Sequence, residues 1–562
     1  SISLDRAVLD YASRNRENLL FNIYTMGKQS IERGSQDNWT PNPKRYAEMV
    51  ARMGGGGRGA GGGGGGGRGG EAGGAERDMA VWAELRKPEL RDPRAFIIPS
   101  DQPDFATATK FINALREVNI AVQRATRDFD VQGKRYPAGS YVVFTAQSFR
   151  PHVMDMFEPQ VHPDVFPIPG GPPTPPYDNA GWTLALQMGV QFDRILEGFT
   201  GPFEPITDWN VKPPAGRITE TNNAAGFVTS RRVNNAFIAL NRLLEAGEEV
   251  VALKSALTVG GKNYPAGTLY IRAKGSTRRA LDAIAADLGV SFEGTTARAP
   301  SDATRLRPAR IGLWDQYGGS MDSGWARWIL EQFEYPFERV FPQELDAGNL
   351  NRKFDVLVFV GGGIPGVPGA GGGGGRGGGG PQADDIPAEY RAHLGAVTQD
   401  KTIPQIRAFI ENGGTVIAIG SSAPNLAAHL QLPLADHLVE NGQPLPSSKF
   451  YTPGSLLLAR FDTSHPITYG MEEQTHVFFD DSPVFRLAPE AETAGVTRIG
   501  WFDSATPLRS GWSWGQQYLN NGVIAVEAKV GKGRALLFTP EILKRAQPHG
   551  TFKLLFNAIA GG

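Results

Sequence analysis

Cysteine is absent from the 562 residues. That excludes disulfides, thiolate nucleophiles, iron–sulfur clusters and Cys-ligated zinc. Charge of one sign is not in excess either: 57 Lys and Arg against 58 Asp and Glu give a formal net charge of -1, the balance of neither a dedicated nucleic-acid binder nor a polybasic membrane-surface protein. No run approaches the ~18 consecutive apolar residues of a membrane span. Histidine is sparse, eight residues in all, so few metal sites can be written. What is present is ordinary for a globular chain of several domains: 40% hydrophobic and 20% charged residues.

Glycine is the anomaly, with 71 residues, concentrated in two tracts: 16 of the 21 positions in 54–74 and 14 of the 20 in 361–380. Tracts without side chains to bury read as flexible surface loops. Arg58, Arg68 and Arg376 without interleaved aromatics make a poor nucleic-acid footprint. Ordered polyglycine packing, in self-assembly or against a partner, is the third reading.

Residues 1–34 read as helix, with Leu4, Val8, Leu9, Tyr11, Leu19, Leu20, Ile23 and Tyr24 near helical spacing and Gly34 as a stop. A helix starting at Ser1 with nothing before it to pack on, and no signal segment, reads as the tail of a preceding domain. Residues 35–95 read as a linker.

Two segments repeat each other. Residues 112–143 align without gaps to 240–271, the clearest match being Gly-Lys-Arg-Tyr-Pro-Ala-Gly at 133–139 against Gly-Lys-Asn-Tyr-Pro-Ala-Gly at 261–267. Each copy carries a leucine-rich helix, a β-rich segment, a Pro/Gly turn and a strand (140–144 and 268–272). The spacing predicts a duplicated α/β region over 96–300, with copies at about 96–150 and 225–295 and a proline-rich connector at 163–176.

From about residue 305 the pattern changes. Short apolar runs at 311–314, 354–360 and 415–419 alternate with helices, one capped by Asp322 or Ser323 with an apolar face of Trp325, Trp328, Ile329 and Phe333. Two further runs flank Gly531-Lys532-Gly533, a hairpin signal, and a helix at 550–559 closes the chain. The fold class expected is α/β: duplicated small units, then a doubly wound, flavodoxin-like parallel sheet over 305–562 carrying the second glycine tract as an insertion.

Four constellations could carry chemistry. His437-Leu438-Val439-Glu440, with His549 downstream, has a zinc-peptidase spacing but no acid among the 13 residues after His549 to serve as base, and reads better as a surface helix ending in Glu. Gly420-Ser421-Ser422-Ala423 follows a strand and precedes a helix. There Ser422 could act as nucleophile, His549 as base, and the backbone of 361–363 as oxyanion donor; Pro424 and helix capping explain the serines without catalysis. Trp501, Trp512 and Trp514, with Asp503 and Arg509, read as core before ligand platform. Asp480-Asp481 reads as a solvated turn. No catalytic, cofactor-binding or metal-binding residue is assigned.

The stretch 3–12 (Ser-Leu-Asp-Arg-Ala-Val-Leu-Asp-Tyr-Ala) through Tyr24-Thr25-Met26-Gly27 resembles the final helix and exit of a bacterial M14-type zinc carboxypeptidase domain. Pro176-Tyr177-Asp178-Asn179-Ala180-Gly181-Trp182-Thr183-Leu184 and Gln547-Pro548-His549-Gly550-Thr551-Phe552-Lys553 resemble segments of the long C-terminal extensions of large exported members. The region from about Pro308 is similar to class I glutamine amidotransferase domains. The resemblance implies a secreted, periplasmic or extracellular protein whose zinc and peptidase residues lie before Ser1, leaving no cofactor in this chain. It also implies an amidotransferase-like domain whose usual cysteine is replaced at Ser421-Ser422. The expected role is a non-catalytic accessory region serving binding, packing or assembly. Its partner would be the upstream peptidase domain or a second copy of the chain, with no nucleic acid and no membrane span. A self-assembling extracellular structural protein and a serine hydrolase using Ser422 and His549 are the alternatives.

Overall fold

The computed structural model describes residues 2–40, 42–52, 79–168, 171–367 and 383–561. The glycine tract at 54–74 and most of that at 361–380 lie outside the described residues. The chain divides into two units: Ser1–Gln102, Ala108–Thr174 and Val190–Val211 in the first; Pro103–Thr107, Pro175–Gly189 and Lys212–Gly562 in the second. The division falls inside the region 96–300 expected to be one body.

In the first unit, residues 2–34 form two helices, Ile2–Arg14 and Arg16–Gly34. Gly34 is buried, and a Cβ there would stand 2.3 Å from the Thr145 carbonyl oxygen. The absent side chain lets the helix end lie against that backbone. Within 35–95 the chain is more than a tether. It forms the helix Pro43–Arg52. Farther on, Asp92 is buried and takes hydrogen bonds from Asn38 (2.6 Å), Thr40 (2.7 Å) and Arg150 (2.7 Å). Burial alone would raise that carboxyl, yet the Thr40, Asn38 and Arg150 bonds hold it below its ordinary range. The unit's sheet runs Asp193–Ile195, Ala95–Ile98, Tyr141–Phe144, Gln123–Ala125, Phe203–Pro205, antiparallel throughout.

The smaller sheet of the second unit has the order Phe292–Thr295, Gly226–Thr229, Leu269–Arg272, Val250–Ala252, Thr304–Arg305, again antiparallel at every one of these pairings, with Ile218–Thr219 added on its edge in parallel. Each of these two sheets carries a side hairpin turning through successive positive φ angles: Gln132 and Gly133 in one, Gly260 and Gly261 in the other.

The large sheet is ordered Phe337–Val340, Ile311–Trp314, Val356–Phe359, Thr415–Ile419, Gly533–Phe538, Val523–Val530, Val496–Trp501, Ser455–Phe461, Gln474–Phe479. Its first five strands are parallel and the rest pair antiparallel. The inner parallel strands Ile311–Trp314 and Val356–Phe359 are covered on both faces, which is why they read as unbroken apolar runs, whereas the edge strand Phe337–Val340 is partly exposed and carries Glu338 and Arg339. The last helix, Phe552–Ile559, is buried along its whole length. Its Phe556 ring lies 4.5 Å from that of Phe333 and 5.1 Å from that of Phe237, so one core joins the two sheets of this unit.

Three local expectations are corrected. The helix Met321–Gln332 is capped by Ser320, whose Oγ accepts the Ser323 N–H, so neither Asp322 nor Ser323 is the cap. Trp328 on that helix is 45% exposed and leaves the core face to Ile329 and Phe333. Residues 437–440 do not form a helix: Val439–Glu440 pairs with Gln443–Pro444 across Asn441-Gly442, both at positive φ, a two-residue hairpin turn.

The hairpin 523–538 turns at Gly531, φ 61°. Gly533 has no room for a side chain, since a Cβ would stand 2.3 Å from both the Gly414 and Ile410 carbonyl oxygens. Gly533→Ala is expected to lose about 2–3 kcal/mol in urea unfolding, because backbone on both sides has to shift.

Candidate functional site

The parallel strands reverse their order between Ile311–Trp314 and Val356–Phe359. From the former the chain steps outward to Phe337–Val340, then returns on the other side through Thr415–Ile419 to Gly533–Phe538. Beyond the C-terminal ends of strands at such a reversal, the connections part and leave a crevice. The segments that follow these strands bring together residues far apart in sequence. Asp322 lies in the first turn of the helix after Ile311–Trp314. Gly361–Gly363 follow Val356–Phe359, Gly420 and Ser421 follow Thr415–Ile419, and Glu541 follows Gly533–Phe538.

Two glycines make room for the carboxylates there. A Cβ on Gly420 (φ +62°) would stand 2.5 Å from Glu541 Oε1, and one on Gly361 would stand 2.8 Å from Asp322 Oδ2 and 4.0 Å from Glu541 Oε1. The two carboxylates thus flank bare backbone. Lys544 lies on the same side, its Nζ 3.3 Å from Asp480 Oδ2 and over the Phe478 ring at 5.5 Å.

Burial pushes the Glu541 carboxyl up to about 7; Asp322 and Asp480 add to the rise and Lys544 opposes it. Asp322 is raised too, chiefly by burial, with Lys544 opposing. Near neutral pH Glu541 is therefore about half protonated, while remaining partly open to solvent. A carboxyl poised this way can give or take a proton, or hold a cationic group once ionised. Sequence reasoning missed it. The one available signal was an acid three residues beyond Phe538, where the last parallel strand ends.

The serines serve the backbone. Ser422 is fully buried; its Oγ donates to the Val360 carbonyl (2.5 Å) and accepts the Ile364 N–H (3.0 Å). Ser421 Oγ accepts the Gly362 N–H (3.0 Å), and the Gly363 N–H bonds the Val360 carbonyl. Two of the three N–H groups expected to serve as oxyanion donors are therefore occupied internally. His549 packs its ring on Phe552, centroids 4.6 Å apart, and its carbonyl accepts from Asn234. The bonds of Ser422 run to Val360 and Ile364, and none of them joins it to His549.

His437 bonds the Asn520 carbonyl through Nε2. Among the described residues no group of three or more His, Asp or Glu side chains is placed to hold a metal ion. Trp512 is buried, Trp514 donates to the Ser448 carbonyl, and Trp501 lies under Arg498, 3.9 Å from its ring centroid. Asp503 pairs with Arg460 at 3.5 Å. Arg509 donates to the Thr506 and Leu508 carbonyls. Asp480 is paired with Lys544, and Asp481 takes positive φ.

A second surface stands out in the first unit. Along Ile2–Arg14 and Arg16–Gly34, ten large apolar side chains are between 59% and 71% exposed: Ile2, Leu4, Val8, Leu9, Tyr11, Leu20, Phe21, Ile23, Tyr24 and Met26. Among the described residues no helix is long and apolar enough to cross a membrane.

No family model and no curated protein matches this chain. Among solved structures it is similar to a glutamine amidotransferase from Thermotoga maritima, at 12% identity over 46% of this chain and 100% of that one, TM-score 0.26. It is similar also to a cytoplasmic protein from Salmonella typhimurium, at 12% identity over 45% and 97%, TM-score 0.26. A beta-galactosidase from Bacillus circulans matches at 9% identity over 43% and 30%, TM-score 0.24. Glutamine amidotransferase-like proteins are thus among its structural neighbours, at low similarity.

Proposed function

We propose that this chain is a non-catalytic accessory region of an exported protein of the zinc-carboxypeptidase type, made for docking and binding. The observation that carries the reading is the exposed apolar stripe of the first two helices. Exposed apolar surface on this scale marks an interaction face, and covering it is favourable by roughly 25 cal/mol per Å2. The occupant proposed is a peptidase-type domain of the same polypeptide, the domain that the residues at 3–12 and 24–27 resemble.

Within this reading the two five-strand antiparallel arrangements are copies of one duplicated unit. The parallel strands of the large sheet form a flavodoxin-like, amidotransferase-like domain that has kept its crevice without a working nucleophile. The bonds of Ser421 and Ser422 support that reading over a serine hydrolase.

The test begins with the native polypeptide, captured from its source with an antibody against this chain. It is expected to exceed this chain in mass, to hold zinc, and to release C-terminal residues from peptides. In that polypeptide, Leu9→Glu with Ile23→Glu is expected to speed limited proteolysis around the first two helices about tenfold, as the docked face opens. A native polypeptide without zinc or peptidase activity overturns the proposal. One that also sediments as an oligomer dissociated by the same double substitution points instead to self-assembly through this face.

A further inference from the structure

Arg231, two residues beyond the strand Gly226–Thr229, is 2% exposed. Its Nη1 donates to Asn557 Oδ1 at 2.8 Å. Its Nε and Nη2 are buried and have no hydrogen-bond partner among the described residues. The groups around it are the Phe237 ring, 6.0 Å from the guanidinium carbon, and the phenols of Tyr335 and Tyr469. None is a carboxylate. The contrast with its neighbours is sharp: Arg232 pairs with Glu472, and the equally buried Lys553 has Asp104 at 3.9 Å as well as Asn234 Oδ1 at 2.6 Å.

Burial lowers Arg231 only to about 10, so the guanidinium keeps its charge at neutral pH. A charge withdrawn from water without a counter-charge is costly, and a bridging water would satisfy the free N–H groups but not the charge. The Tyr335 hydroxyl is also buried and meets no partner of good hydrogen-bond geometry among the described residues, although the Asn241 amide lies near enough to act on it. The unmatched guanidinium groups are donors only, and the phenol can donate as well as accept. A cavity of about 510 Å3, lined in part by Leu240, Asn241, Tyr335, Pro336 and Ile559, opens beside this tyrosine.

We propose that Arg231, together with the Tyr335 hydroxyl, is a buried site for a small monovalent anion, of halide or short-carboxylate chemistry, which completes the ion pair that the chain leaves open. Two N–H donors of one guanidinium and a phenolic O–H suit one acceptor-only guest.

The test uses the full chain in sodium gluconate as the reference salt, with chloride or formate substituted at constant ionic strength. Thermal unfolding is expected to rise with either small anion along a saturable curve, and the tighter of the two identifies the guest chemistry. Tyr335→Phe should weaken the apparent affinity about tenfold, one hydrogen bond's worth, and Arg231→Met should abolish the dependence. If Arg231→Met does not fold, bromide-soaked crystals of the unaltered protein decide instead, with anomalous density expected at hydrogen-bond distance from Nε and Nη2. A linear, unsaturable salt response identical in Tyr335→Phe, or no bromide at Arg231, overturns the proposal.

Discussion

Replacing Asn557 by leucine is expected to cost about 3–5 kcal/mol of stability, more than Gly533→Ala, although the new side chain branches at the same atom and favours helix more. Asn557 has no exposed surface. Its Oδ1 accepts from Arg231 Nη1, and its Nδ2 donates to the Ile467 carbonyl at 3.0 Å and the Tyr469 carbonyl at 2.9 Å. Leucine strands all three partners at once, and one of them is a charged guanidinium with no carboxylate beside it. Each unsatisfied buried group costs ~1–3 kcal/mol, and the charged one more. Ile559→Val, on the same helix and also buried, removes one methyl group and is expected to cost only ~0.5–1.5 kcal/mol. Urea unfolding of the two variants side by side measures the difference. Adding Arg231→Met to Asn557→Leu should recover part of the loss, with a coupling on the order of 1–3 kcal/mol. Equal costs for the two single variants would refute this account of the site.

That the decisive polar residues came to light only in three dimensions has a plain cause. The parallel strands 356–359 and 415–419 could be read because burial on both faces writes a continuous apolar run. The 523–538 hairpin showed itself through Gly531-Lys532-Gly533. The Tyr-Pro-Ala-Gly turns gave the strands Tyr141–Phe144 and Leu269–Arg272 nearly to the residue. Where the reading failed, local chemistry had two solutions. Asp322 and Ser323 can both cap a helix, but Ser320 comes first and takes the position. Asp322 is left to face the crevice. Asn441-Gly442 is a strong hairpin signal that the His437-x-x-Glu440 spacing drew attention away from.

Of the crevice, only the glycine and serine turns at 361–363 and 420–422 were legible. Asp322, Gly361, Gly420, Asp480 and Glu541 come from five separate connections, which only the folded chain brings together. Ser422 illustrates the converse. A serine after a strand and before a helix has the sequence of a nucleophile elbow and of a structural turn alike, and only the partners of its Oγ tell them apart. Arg231 carried no signal either, because the partner it lacks cannot be read from a sequence.

Glu541→Gln is expected to stabilise the protein above neutral pH, the opposite of what most substitutions of a partly buried polar residue do. The carboxyl sits at about 7 in the folded chain against an ordinary 4.5. Below about pH 4.5 it is protonated whether the chain is folded or not, so it contributes no pH dependence. Between about 4.5 and 7 the folded state keeps a proton that the unfolded state has released, and stability falls as pH rises. Above 7 both states are ionised and the folded state bears the whole penalty of a charge held in a poorly hydrated crevice beside Asp322 and Asp480. At ~1.4 kcal/mol per pKa unit that penalty is roughly 3 kcal/mol. Glutamine is neutral throughout and escapes it. The variant should therefore match the parent near pH 4, unfold at a higher denaturant concentration at pH 8.5, and lose the downward slope between. Asp322→Asn, which removes the nearby like charge, should move the parent's slope to lower pH without erasing it. If the glutamine variant follows the parent's pH curve, or is the weaker of the two at pH 8.5, Glu541 is not the strained carboxyl that makes this crevice the candidate site.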